Sequence, residues 1–415
     1  MLAGAGLAFA CIAGGEAVAA EISVAPAPGA LAASIAAASP GDTLLLAPGR
    51  HDGPIVLEKP LTLEGNGAAA IVGDGKGSVV TVDAPDSAIL NLVIENSGRS
   101  GAGLDAGVTL TGRARRARVE GNVLRNNFIG VDVHGAEDAV VSANEINGLA
   151  IARMNDRGNG VYVWNARGAV IENNRIIAGK DGVFLSSSRE NVIRGNRMEK
   201  LRFAIHYMYT LDSRIIENVS VGNHLGFALM FSSGLDVRGN QSIGDRDRGL
   251  LLNFVNGSTI AGNSVRGGAE KCLFMYNANK DRLEGNRFEG CDIGVHFTAG
   301  SANEEITGNA FVNNRTQVKY VGSTIREWSR NGAGNYWSDN AAYDVNGDGI
   351  ADAPYRPNDA IDKIVWTQPA ARFLLGSPAV QIIRWAQSAF PALLPGGVVD
   401  SAPLMRAPRL NPSEE

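Results

Sequence analysis

The chain has 415 residues, a formal net charge of −5 and 51 glycines. The length is ample for one or two hydrophobic cores, and the acidic balance with no basic tract argues against nucleic acid as a partner. Glycine near one residue in eight, with Asn recurring beside it, points to turn-rich β structure rather than helices.

Residues 1–20 are small and apolar and contain Ala17-Val18-Ala19, the pattern of an export-signal cleavage site. The chain is therefore expected to be exported. No Lys or Arg precedes Arg50, so the basic n-region of such a signal is missing, and an apolar N-terminal helix is the other reading. Cys11 follows Ala8-Phe9-Ala10, a poor lipobox. No other stretch is long enough to span a bilayer. Residues 31–65 hold an Ala-rich helical segment, a PGDT turn and strand patterns; the helix is expected to plug the first coil of a repeat region.

From Asn122 the sequence repeats. The unit is an aliphatic residue, two spacers, Asn, and an apolar residue two further on: VEGNVL around Asn122, VSANEI around Asn144, then Asn174, Asn196, Asn218, Asn240, Asn263, Asn286 and Asn309. Successive Asn lie 22, 30, 22, 22, 22, 23, 23 and 23 residues apart. A period in the twenties means a solenoid. A second segment trails each Asn, a small residue and then alternating apolar positions, as in GVDV, GVYV, GVFL and AIHY; that alternation means strands. The fold class is all-β: a right-handed parallel β-helix of about 22–23 residues per coil, with an N-terminal helical cap and an irregular C-terminal tail. A leucine-rich repeat would need a helical limb that is absent. The recurring Asn are expected to form a structural ladder of side-chain amides. The long 30-residue interval carries extra residues, 149–160, which read as a projecting loop. Cys272 and Cys291 are 19 apart and so fall out of register, and no bridge between them is expected. The expected divisions are a leader at 1–20, the β-helix with its cap at 21–320, a capping region at 321–375 and an amphipathic helix with a docking tail at 376–415.

Two positions after the small residue, the strands face outward. That column reads Asp132, Tyr162, Phe184, His206, Met230, Leu251, Phe274 and His296, with His134, Trp164, Met208 and Tyr276 two residues further on. A stripe rich in aromatics, His and Met marks a partner or ligand face unless a loop covers it. Tyr162, Trp164, Phe184, Phe274 and His296 are the candidate partner-binding residues. His206, Met208 and Met230, on adjacent coils, have donor atoms that suit copper. A glycan enzyme would need stacked carboxylates; Asp132 has none, and Asp181 stands alone, so no acid/base pair is found. No phosphate loop occurs, so ATP is not expected in this chain.

After Tyr320 the period is lost. Asp344, Asn346, Asp348, Gly349 and Asp352 fit D-x-N-x-D-G-x-x-D, the front half of a calcium loop, but Tyr355 stands where an EF-hand has Glu. Calcium and a self-satisfied Asx turn are both open. From Ala379 to Phe390, Val380, Ile383, Trp385 and Phe390 recur at near-helical spacing, and Pro391 ends the run. Trp385 and Phe390 are candidates for docking on a partner; a tail that folds back on the rod is the other reading.

The β-helix repeats, GNYWSDN, the Asp-Asn-Gly-Asp-Gly turn, APYRP and the tail at 382–408 together resemble the NosD family, periplasmic maturation factors of nitrous oxide reductase within the carbohydrate-binding/sugar-hydrolase-like β-helix proteins. The resemblance spans almost the whole mature chain, and the tail is its most specific part. It implies an accessory protein rather than an enzyme. The implied partners are an ABC transporter permease with its ATPase, nitrous oxide reductase and a copper chaperone lipoprotein; the implied task is assembly of the copper–sulfur centre. Association with the membrane would then run through the permease. A secreted polysaccharide-binding or polysaccharide-modifying β-helix is the alternative.

Overall fold

The computed structural model describes residues 19–149, 151–298, 300–322, 324–390 and 396–410; the leader expected at 1–20, with Cys11, lies outside the described residues but for Ala19 and Ala20. Each coil of the repeat contributes three short strands, for example Val192–Arg194, Arg197–Glu199 and Phe203–Met208. Equivalent strands of successive coils pair in parallel, giving three long sheets of 13, 12 and 13 strands. The register keeps like residues in line: Ile171 beside Ile193, Ile176 beside Met198, Val183 beside Ile205. All six are fully buried. Each such side chain contributes about 2 kcal/mol on burial, and because every coil repeats the pattern the interior is one continuous core.

The expected Asn ladder is present, from Asn122 onward, at the corner between the first and second strands of each coil. Asn196 shows its wiring: its backbone N–H and its Nδ2 both donate to Asn218 Oδ1, at 3.1 and 2.9 Å, and Nδ2 also donates to the carbonyl of Ile171 at 2.8 Å. The corner needs a left-handed residue just before the Asn. Gly195, Gly239, Gly262 and Gly308 supply it with φ between 63 and 67°, which explains why the repeat so often reads Gly-Asn.

The ends are closed as solenoid ends must be. Helix α1, Ala30–Ala37, buries Leu31 and Ile35 against the first coils. At the other end Asn335, from the NYW stretch, is the last rung, accepting from Asn309 at 2.9 Å. Asp400 finishes the ladder: its Oδ2 accepts from the Asn335 backbone N–H at 2.7 Å and from Trp337 Nε1 at 2.8 Å. Trp337 lies 4.3 Å from Phe311, ring to ring, and seals the core.

Two expectations are corrected here. Cys272 and Cys291 are joined by a disulfide, with Cα atoms 5.7 Å apart. Counting along the chain put them out of register, but Cys272 occupies the small-residue position that Gly249 holds one coil earlier and Cys291 sits at the corner one coil later. Both are buried and meet across the inside of that corner. The tail also differs. Residues 397–399 return to the rod as a strand beside Ile325–Glu327, with Val398 and Val399 buried. The exposed part is the excursion before it, made of helix α2, Ala360–Thr367, a 3-10 turn, Pro369–Leu374, and helix α3, Pro378–Ala389. A capping box between Asp359 and Asp362 starts α2, and Ser377 caps α3.

Candidate functional site

The outward face of the twelve-stranded sheet is the candidate binding groove. Its central column is defined by the register as Asp132, Tyr162, Phe184, His206, Ala228, Leu251, Phe274, His296 and Lys319. Met230 is not in it. The small residue of that coil is Gly226 rather than Ala228, so Met230 moves one position along and pairs with Met208. Ala228 takes the place beside His206 and opens a gap in a row of rings.

The rings stack along the column. Phe184 lies 5.3 Å from Tyr162 and 4.5 Å from His206, and Phe274 lies 4.8 Å from His296. In the next column His134 stacks on Trp164 at 4.4 Å. This stacking buries much of a face that the alternation alone would expose: Asp132, His206 and Leu251 are only 2, 7 and 5 % exposed. A second aromatic file, not anticipated, runs along the rim. Tyr209, Phe231 and Phe254 stack at 5.3 and 5.2 Å, each with a left-handed φ near 50° that turns a bulky ring outward.

At the centre of the groove is a cluster that column-by-column reading missed. Asp181 Oδ2 lies 2.9 Å from His206 Nδ1, and Arg202 grips the same carboxylate through Nε at 2.8 Å and a terminal nitrogen at 2.6 Å. Asp181 is in line with Phe203 on the next coil, and so looks alone; its partner is the diagonal neighbour, one coil and three residues on. Burial would raise the Asp181 pKa, but the bonds from His206 and Arg202 outweigh it and hold the group below the ordinary carboxylate value. His206 Nε2 is buried and has no hydrogen-bond partner. Met208 lies two residues from His206 on the same strand and is in register with Met230. The structure thus brings His206, Met208 and Met230 to one part of the groove, with Asp181 behind the imidazole.

Orphaned polar atoms recur along this face. Asp132 Oδ1, His134 Nδ1, Arg248 Nε and His296 Nδ1 are also buried without partners. Burial pushes the Asp132 carboxyl up to about 7. Unpaired buried atoms occur elsewhere on the rod too, as at Asn191 Nδ2 and Asp281 Oδ2, but five of them, His206 Nε2 included, line this face. The 149–160 loop leaves the rod just before the groove strand Val161–Trp164 and includes a 3-10 turn, Met154–Asp156.

The Asp344 loop is elsewhere, clamped to the C-terminal return by the Met405 N–H to Gly349 carbonyl bond of 2.9 Å. Its oxygens face its own backbone: Asp344 accepts from the N–H groups of Gly347 at 2.7 Å and Gly349 at 2.8 Å, Asp348 from Ile350 at 2.8 Å, and Asp352 from Val345 at 2.7 Å. Asn346 bonds Asp348 at 3.0 Å. This is a network of Asx turns, and calcium finds no support in it. Among the described residues no group of three or more His, Cys, Asp and Glu is arranged to hold a metal ion, so thioethers must complete any site at His206. Trp385 and Phe390 lie on the helical excursion, 67 and 59 % exposed. No helix of the described residues is long and apolar enough to cross a membrane.

A parallel β-helix with a file of stacked rings on one outer face defines the class. Solved structures share the fold: the Yersinia enterocolitica family 28 exopolygalacturonase matches with a TM-score of 0.55 at 10% identity over 72% of this chain and 78% of that one, and the DFA-IIIase of Arthrobacter chlorophenolicus A6 in complex with GF2 with 0.52 at 14% over 71% and 95%. The chain belongs to the NosD family. The family model described as "Periplasmic copper-binding protein (NosD)" matches residues 142–342. Two proteins, each named "Probable ABC transporter binding protein NosD", are close relatives: one of Stutzerimonas stutzeri, 39% identical over 87% of this chain and 86% of its own length, and one of Pseudomonas aeruginosa, 41% identical over 88% and 89%.

Proposed function

We propose that this chain is a periplasmic accessory protein for assembly of the copper–sulfur centre of nitrous oxide reductase, and that it carries copper transiently as cargo at His206, Met208 and Met230. In this reading it is not an enzyme. It works with an ABC transporter permease and its ATPase and receives copper from a chaperone lipoprotein. The family description supports copper and the periplasm, and the names of the relatives support the transporter.

The observation that carries the reading is the buried Asp181–His206 pair with Nε2 left unpartnered beside two methionines in register. Asp181 accepts the Nδ1 proton, which fixes the tautomer and directs the Nε2 lone pair to the metal. Arg202 balances the carboxylate, so the site stays near neutral. An imidazole and two thioethers form a soft donor set that favours Cu(I) over hard cations and lets it leave again. Exposed rim aromatics and the helical excursion offer surfaces for the partners. The polysaccharide reading is weaker because Tyr162 turns a face to Phe184 and Trp164 turns one to His134, where a sugar would need them open.

Titration of the mature chain with Cu(I) against a coloured chelator tests this. The expected result is one tight Cu(I) per chain, lost in His206→Ala and in Met208→Leu with Met230→Leu, and weakened about tenfold or more in Asp181→Asn. Equal affinity in all variants contradicts it.

A further inference from the structure

We infer that the groove holds a second site, about three coils or ~14 Å from His206, where Arg248, Lys271, Lys319 and His296 bind a small organic monoanion with an apolar body.

The cations converge. Arg248 and Lys271 stand directly opposite each other in register on adjacent strands, a like-charge pairing that destabilises a sheet. Both reach over one ring: the Arg248 guanidinium is 5.1 Å and the Lys271 ammonium 5.7 Å from the centre of Phe274. His296 lies 4.8 Å from that ring, and Lys319 comes next after His296 in the column. Across the rest of the rod most surface arginines meet a carboxylate one for one, as Arg116 meets Asp86 and Arg167 meets Glu190. Here three cations face two carboxylates: Asp247 pairs with Arg248 at 2.8 Å and Glu270 with Lys271 at 2.5 Å. Lys319 has no carboxylate within ion-pair distance among the described residues; it acts on Glu270 only at longer range and lies 6.0 Å from the Trp366 ring.

The count leaves one positive charge over, and two buried nitrogens have no hydrogen-bond partner, Arg248 Nε and His296 Nδ1. Unpaired buried polar atoms are costly, and a bound anion would relieve that cost at Arg248 Nε. Burial first, then Lys319, Lys271 and Arg248, depress the His296 pKa to about 4 against a small opposing effect of Glu270. The imidazole is therefore neutral and presents one N–H without adding charge. A single excess charge selects a monoanion over a dianion. The apolar patch of Leu225, Ala228 and Leu251, with Phe203, Met230 and Phe274 packed on it, begins beside the cations, and its Phe274 end selects a ligand with a hydrophobic portion.

The probe is benzoate, titrated into the full mature chain at low ionic strength and monitored by the ring signals of the five histidines. The expected result is saturable binding that raises the His296 midpoint by about one pH unit or more, since an anion replaces part of the repulsion from three cations. Acetate should bind several-fold more weakly, and Lys319→Gln should weaken benzoate several-fold. Lys319 is half-buried at the groove edge, so that variant is expected to fold; Lys319→Arg, which keeps the charge, should restore binding. No saturation, an equal response at exposed His224, or affinity unchanged in Lys319→Gln overturns the proposal.

Discussion

Asp181 and Asp132 lie on the same groove, and their surroundings give them opposite characters. Asp181 is ionised because His206 and Arg202 bond it; Asp132 has no such donors and burial raises its pKa to about 7. Burial likewise raises Asp281 and Glu304 to about 7. An unfolded carboxyl titrates near 4. Between about pH 4 and about pH 7 these three carboxyls hold protons in the folded chain that the unfolded chain has lost, which outweighs the opposite effect of His296, lowered to about 4, so stability falls as pH rises through that window. We expect urea midpoints to drop from about pH 5 to about pH 8, and the drop to shrink in Asp132→Asn, which cannot ionise. An unchanged drop in that variant would show that Asp132 ionises normally in the folded state. None of this was readable from composition. Asp132 and His206 were legible as members of an outward column, but their burial was not, because it comes from rings stacked between coils. The Asp181–His206 bond was hidden because it runs diagonally, and Met230 was misplaced because Ala228 and Gly226 are both small.

Strands and corners were the most legible elements. The Asn spacing placed the ladder and predicted its wiring, since each rung repeats one local geometry. What closes the ladder was not legible: Asp400 is 65 residues beyond Asn335, and no period links them. Its carboxylate takes the backbone N–H of Asn335 and the indole N–H of Trp337 in a buried setting. Asp400→Ala should leave both donors unpaired and cost on the order of 3 kcal/mol, measured by denaturant unfolding. Asp400→Asn should cost less, because an amide oxygen still accepts one of them. A neutral Asp400→Ala would mean that the C-terminal return is not what holds the last coil. The disulfide shows the same limit from another side. A count of residues along the chain treats coils as a straight ruler, whereas Cys272 and Cys291 meet through a corner.

At the scale of the molecule, the chain is a capped rod with one sided chemistry and one appended excursion. The rod and both caps were foreshadowed by the period and its loss; for the tail, docking on a partner and folding back on the rod were both open in the sequence, because Val398 and Val399 are apolar in either arrangement. The excursion exposes Phe373, Leu374 and Ile382 at 93, 61 and 64 %, an unusual apolar display for a water-facing helix pair. In the proposed function this is where the permease docks. Replacing these three residues with Ser should leave the unfolding midpoint of the rod unchanged and abolish co-purification with the permease; retained co-purification would move the contact to the rim aromatics Tyr209, Phe231 and Phe254.

The most direct test of the proposed function is the absorption spectrum and copper content of nitrous oxide reductase purified from a strain that lacks this chain. The expected enzyme keeps its electron-transfer copper but has no catalytic copper–sulfur cluster, with the cluster restored by the intact chain and not by His206→Ala. A fully loaded, active reductase from the deletion strain would contradict a role in assembling that centre.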